Sequence, residues 1–206
     1  ALQEKYRDRL RLAKSVELGQ GHLNPQAAEA LLAGEEFDYV LGSVHCAAPG
    51  LDICRVDFND PQVRVSDILS YYFQAMYDMT LWGKFDVMGH IGYPERYIWG
   101  KYRIPVDFSP YGDLIQATLK KLVETGKGLE VNTSGYRQGL GKTFPGERII
   151  QRYYQLGGRI VTLGSDAHRA EDLASDFEVA MDLLTGIGFQ YFAFYRKGEP
   201  VMLKLI

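Results

Sequence analysis

The sequence predicts an α/β fold built on a parallel sheet. Two observations carry that prediction. Short apolar runs alternate with segments of helical periodicity along the whole chain, which is the pattern of βα units. The 206 residues, 46% hydrophobic and 24% charged, have the length and balance of a globular domain with a sizeable core.

The elements follow in order. The chain begins at Ala1, without an initiator Met, and runs at once into an amphipathic pattern over Leu2–Ala13. Strands are expected at Lys14–Leu18, Phe37–Val44, Phe85–Gly89, Lys127–Val131 and Arg159–Gly164, each a short apolar run. A last pair, Phe189–Tyr195 and Pro200–Leu205, reads as a hairpin around Arg196-Lys197-Gly198-Glu199. Helices fill the intervals. Pro25–Leu32 follows Asn24 as N-cap, with Pro25 at the first helical position. Ser66–Trp82 places Ile68, Tyr72, Phe73, Met76 and Met79 at helical spacing and ends at Gly83. That Met and Tyr stripe is read as packing against the sheet rather than as a cofactor surface. Tyr111–Glu124, Glu147–Leu156 and Ala170–Leu184 complete the set, each closed by a nearby Gly. No linker, repeat or low-complexity segment interrupts the chain, so residues 1–206 are expected to form one domain.

Composition also narrows the function classes. A net charge of -3, with no basic run, gives no reason to expect nucleic acid as a partner. No stretch is long and apolar enough for a membrane span, and the charged first residues do not read as a signal peptide. Cys46 and Cys54 are too few for a disulfide framework, and a reducing cytoplasm is the expected home. Cys46 follows His45, yet a small buried thiol accounts for it better than a metal ligand does.

The chemistry-bearing residues gather at the ends of the expected strands. Glu17 ends the first, His45 the second and His90 the third, while Asp166 and His168 follow the fifth in Gly164-Ser165-Asp166-Ala167-His168. Three of only four histidines stand at such an edge. Parallel α/β folds collect functional groups there, and imidazoles with carboxylates are the donors for Zn, Mn or Fe. Alone, each signal has a bland reading: a hydrogen-bonded His, a Glu paired with Arg, a Gly-Ser-Asp turn. Their joint placement on separate strands, all at one face, points to a metal site. His22, in a Gly-rich loop, is read as a rim residue.

The phrases Val16-Glu17-Leu18-Gly19, Gly42-Ser43-Val44-His45, Val87-Met88-Gly89-His90, Leu129-Glu130-Val131-Asn132-Thr133-Ser134-Gly135 and Leu163-Gly164-Ser165-Asp166-Ala167-His168 follow one another in this order. The series resembles the polymerase-and-histidinol-phosphatase (PHP) superfamily, and within it the histidinol-phosphate phosphatases. The resemblance implies a distorted (β/α)7 TIM-like barrel with up to three divalent ions (Zn, Mn or Fe) at its mouth. It implies metal ligation by Glu17, His45, His90, Asp166 and His168, with Glu17, Asp166 and His168 at the catalytic centre. The family's first-strand His-x-His and further upstream ligands have no counterpart here, so the expected fold is a barrel lacking its N-terminal βα units. Such a chain would expose strand edges to a second copy, leaving room for a homo-oligomer.

The implied activity is hydrolysis of a small-molecule phosphate ester, L-histidinol phosphate to L-histidinol and phosphate in histidine biosynthesis. Arg offers a two-pronged geometry to phosphate, so Arg137 and Arg169 are the expected substrate ligands, with Ser134, Arg96 and Tyr97 beside them. No residue stands out as the leaving-group acid. Three other readings compete: a related phosphoesterase acting on another phosphomonoester or a nucleotide, an inactive remnant, and a hydrolase of the amidohydrolase type. The last expects a bridging Lys, and no Lys sits at a ligand-bearing strand end.

Overall fold

A computed structural model describes residues 2–205. Its centre is a five-stranded parallel sheet of β1 (Ser15–Gly19), β2 (Tyr39–Ser43), β5 (Val87–Met88), β6 (Gly128–Asn132) and β7 (Val161–Gly164), in the order β1-β2-β5-β6-β7. All five expected strands are present. Strands β2, β5 and β7 are shorter than their apolar runs, and β1 and β6 keep five residues but lie one residue later, because pairing, not hydrophobicity, sets a strand's ends. Between β2 and β5 lies a short antiparallel pair, β3 (Cys46–Ala48) and β4 (Leu51–Asp52). Strands β8 (Tyr191–Arg196) and β9 (Glu199–Lys204) form the expected hairpin. Its two-residue turn puts Lys197 at φ 53° and Gly198 at φ 76°, as a right-twisted hairpin requires.

The sheet has two edges, β1 and β7, so among the described residues it is open and does not close into the barrel that the family resemblance implies. The interior strands β5 and β6 are buried on both sides: all five residues of β6 are buried, as are Val87 and Met88 of β5. Eight helices surround the sheet among the described residues: α1 (Leu2–Tyr6), α2 (Pro25–Gly34), α3 (Val65–Trp82), α4 (Pro94–Ile98), α5 (Gly112–Glu124), α6 (Ser134–Arg137), α7 (Glu147–Gln155) and α8 (Phe177–Ile187). Helix α3 packs on α5, α5 on α7 and α7 on α8, so successive crossovers lie side by side. The Met and Tyr stripe of α3 is core: Ile68, Leu69, Tyr72, Phe73, Met76 and Met79 are all buried, and Gly83 caps the helix at φ 68°.

Two expected helices differ. The Leu2–Ala13 pattern is helical only through Tyr6 and buries no residue of that helix, so little tertiary packing supports a longer one. The expected Ala170–Leu184 helix splits into a 3-10 turn at Ala170–Asp172 and α8, because Ala174 (φ 57°) and Asp176 (φ 60°) adopt left-handed backbone between them.

The β8–β9 hairpin packs on β7 and reaches across to the start of β2. There Asp38 Oδ1 accepts the Lys197 backbone N–H (3.0 Å) and Oδ2 that of Lys14 (2.9 Å). This staple holds the N-terminal end of the sheet and leaves the opposite edge free for chemistry.

Candidate metal centre

Parallel pairing sets the geometry of the site. Because β2, β5 and β7 run the same way, His45, His90 and Asp166 each stand two residues beyond a strand end, after Ser43, Met88 and Gly164. Glu17 lies within β1, two residues before its end, so the sequence expectation placed it slightly late. Its carboxylate nevertheless reaches the same point. Glu17 Oε1 is 3.1 Å from His45 Nε2 and 3.1 Å from His90 Nε2, and the two nitrogens are 3.3 Å apart. Three donors from three strands thus form a nearly equilateral triangle.

The donor set fits a divalent cation. Donors about 2.0 Å from a tetrahedral ion stand about 3.3 Å from one another, close to all three edges of this triangle. Hydrogen bonds from His45 and then His90 hold the Glu17 carboxyl far below the usual carboxylate range, overcoming the opposite effect of burial. Burial pushes the His90 imidazole down, but the Glu17 hydrogen bond and the charge of Glu130 outweigh it, leaving a net upward shift. Two imidazoles and a carboxylate sharing one point are thus held together electrostatically.

The triangle floors a cavity of about 310 Å³ whose walls include Asp166, His168, Arg96 and Tyr97. Asp166 does not join the triangle. One of its oxygens pairs with Arg96, and the other lies 3.4 Å from His168 Nε2. Burial raises the Asp166 carboxyl, but the Arg96 hydrogen bond and charge dominate and bring it below the ordinary value. His168 is largely exposed at the rim, 84% for its side chain. Arg96 Nη2 also donates to Ser134 Oγ at 2.8 Å, and the guanidinium lies over the rings of Tyr93 and Phe144. Tyr97 donates or accepts at 3.0 Å with Tyr93, whose ring packs edge-on against His45.

The arginines are distributed differently from expectation. Arg96 faces the cavity, whereas Arg137 turns away from it. Arg137 Nη2 donates to the backbone carbonyls of Ser165 and Asp166, both at 3.1 Å, and its Nε lies 3.5 Å from Asp172. It thereby secures the turn in which Asp166 sits at φ 50°. Arg169 is exposed beside Glu171 and does not line the cavity. His22 lies against Met79 Sδ (3.4 Å), outside the site, and Cys46 is a buried free thiol in the core.

Three residues of the neighbourhood are not singled out by the sequence: Asp52, Glu130 and Tyr93, whose ring stands against His45. Asp52 lines the cavity from the β3–β4 pair, and Pro49-Gly50 is the turn signal that marks this pair. Glu130 is buried behind His90, and its Oε2 accepts the His90 backbone N–H at 2.8 Å. A carboxylate inside the apolar run Leu129–Val131 was the available signal. A larger cavity of about 560 Å³ between α5 and α7 contains no His. Donor chemistry rather than size therefore identifies the site.

Residues 4–134 match the PHP domain family. The "Probable histidinol-phosphatase" of Thermotoga maritima is 34% identical over 157 residues, covering 76% of this chain and 59% of the relative. A protein of the same name from Clostridium acetobutylicum is 30% identical over 183 residues, 87% of this chain and 69% of the relative. The chain thus spans about three fifths to two thirds of these relatives' lengths. The fold is similar to that of histidinol phosphate phosphatase from Lactococcus lactis, solved with zinc, L-histidinol and phosphate. That match has a TM-score of 0.79 at 20% identity and covers 97% of this chain and 75% of that one. No helix among the described residues is long and apolar enough to cross a membrane. From the family match and the identity to these relatives, the chain belongs to the PHP domain family, on its histidinol-phosphatase branch.

Proposed function

We propose that the full-length protein is a metal-dependent phosphomonoester hydrolase that converts L-histidinol phosphate to L-histidinol and phosphate in the cytoplasm. The observation that carries this reading is the convergence of Glu17, His45 and His90 donors within 3.3 Å of one another, beside a cationic Arg96. The names of the relatives and the ligands of the Lactococcus structure support the substrate. The open sheet is read as an arc of a distorted (β/α)7 barrel, and Zn, Mn or Fe, up to three ions, as the cofactors.

Glu17, His45 and His90 would hold one ion, with Asp166 and His168 available to others at the same mouth. A bound divalent ion supplies Lewis acidity at the phosphoryl oxygens and makes water a stronger acid nearby. The chain's own residues do the rest. Arg96, fixed by Ser134 and Asp166, presents its guanidinium to the phosphate and orients phosphorus for in-line attack by water. The bond from phosphorus to the histidinol oxygen breaks, one from phosphorus to the water oxygen forms, and a proton passes to the departing alkoxide. Tyr93 and Tyr97 wall the cavity. Arg137 positions Asp166 through the backbone, and Arg169 stands outside, free to meet the phosphate only on movement of its loop.

Full-length protein supplied with Mn, Zn or Fe should release phosphate from histidinol phosphate far faster than from p-nitrophenyl phosphate. Equal, slow turnover of both would remove the substrate assignment.

A further inference from the structure

We infer that Glu130 is a positioning residue of the metal site, fixing the His90 backbone and through it the direction of the His90 imidazole. The inference rests on the metal-centre reading above and adds to it a residue outside the ligand set.

His90 has an unusual problem. Its φ of 21° falls on the left-handed side, which residues with a Cβ avoid, so something must hold the backbone there. Metal-ligating histidines ordinarily fix their ring by donating the second ring N–H to a partner. His90 Nδ1 is buried and has no such partner among the described residues. With Nε2 at the triangle, the ring's aim therefore depends on the main chain beneath it.

Glu130 supplies that hold. Its Oε2 accepts the His90 N–H at 2.8 Å and is itself steadied by Asn132 Nδ2 at 3.3 Å. The opposite side of the carboxylate is confined by Gly164: a Cβ there would lie 2.0 Å from Glu130 Oε1. Gly164 is the last residue of β7 and stands two before Asp166, so a single carboxylate is wedged between two ligand-bearing strand ends. Packing alone does not ask for this side chain. Leu129 and Val131 flank it and are wholly buried, and an apolar residue would fill the same space without the cost of burying a carboxylate.

The test uses full-length protein and Co(II) or Zn(II) alone, without substrate. Glu130→Ala should weaken metal affinity roughly 10- to 100-fold, the usual effect of losing a partner behind a ligand. It should also alter the visible absorption of the Co(II) protein. Glu130→Gln keeps an oxygen acceptor for the His90 N–H and should restore affinity to within a few-fold of wild type. Wild-type affinity and an unchanged Co(II) spectrum in Glu130→Ala would overturn the inference. Should that variant fail to fold, two measurements decide. Gly164→Ala must displace the carboxylate without removing it, and should lower affinity in the same direction; unchanged affinity contradicts the inference. In wild-type protein the His90 amide should resist hydrogen exchange, and exchange as fast as an exposed loop contradicts it too. If wild type itself binds no metal, it is the metal-centre reading that fails.

Discussion

Replacing Tyr72 with Phe tests how the core supports the site. Tyr72 lies on α3 with no exposed surface, and its hydroxyl oxygen accepts the backbone N–H of Gly92 at 3.1 Å. Gly92 is itself buried, two residues after His90, so the hydroxyl is the anchor of the loop that leaves the metal centre. Phe keeps the ring and its packing but leaves this N–H without an acceptor. A buried donor stranded in this way costs about 1–3 kcal/mol. At about 2–4 °C per kcal/mol for a chain of this size, the melting temperature should fall by about 2–12 °C. The assay is thermal unfolding of the metal-free protein, checked by urea unfolding at constant slope. A melting temperature within 1 °C of wild type would show that Gly92 finds another partner, and would refute the claim that α3 anchors this loop.

Two further perturbations address the cavity and the opposite end of the sheet. Arg96→Lys keeps a charge but loses the two-pronged geometry, so kcat/KM for histidinol phosphate should fall about 10- to 150-fold, equivalent to about 1.5–3 kcal/mol for a hydrogen bond to a charged group; steady-state kinetics showing less than a two-fold change would exclude Arg96 from phosphate binding. Asp38→Asn should flatten the acid limb of stability. The backbone N–H groups of Lys14 and Lys197 hold the Asp38 carboxyl below its ordinary value of 3.8. Its contribution is therefore complete above that pH and is lost as pH falls through the lowered folded value. Exposure and screening limit the effect to about 1 kcal/mol. Urea midpoints compared at pH 7 and pH 3 should show a smaller acid loss in the variant, and an equal loss would contradict the staple.

Much of this architecture was legible in the chain because its signals are local. Apolar runs marked β1, β2, β5, β6 and β7, Asn24-Pro25 marked the start of α2, and Gly83 the end of α3. Strand ends then located His45, His90 and Asp166 without any knowledge of packing. What stayed hidden depends on contacts distant in sequence. Arg96 and Arg137 are both arginines a short way beyond a strand end, and only the fold shows that one faces the cavity while the other grips the Ser165–Asp166 carbonyls. Glu130 could be recognised as buried behind His90 only once β5 and β6 were paired side by side. The break before α8 was equally obscure, since Ala174 and Asp176 take left-handed backbone without a Gly to announce it.

The decisive experiment is a titration of metal-free, full-length protein with Co(II), followed by visible absorption and by the rise in melting temperature. With metal at about a thousand times its dissociation constant, binding to the folded state alone adds about 4 kcal/mol, a rise of about 8–16 °C. His45→Ala, which deletes one corner of the Glu17–His45–His90 triangle, should lose most of that rise and change the Co(II) spectrum. A wild-type protein that takes up no metal, or a His45→Ala variant that binds it unchanged, would contradict the convergence of these three side chains on a common ion.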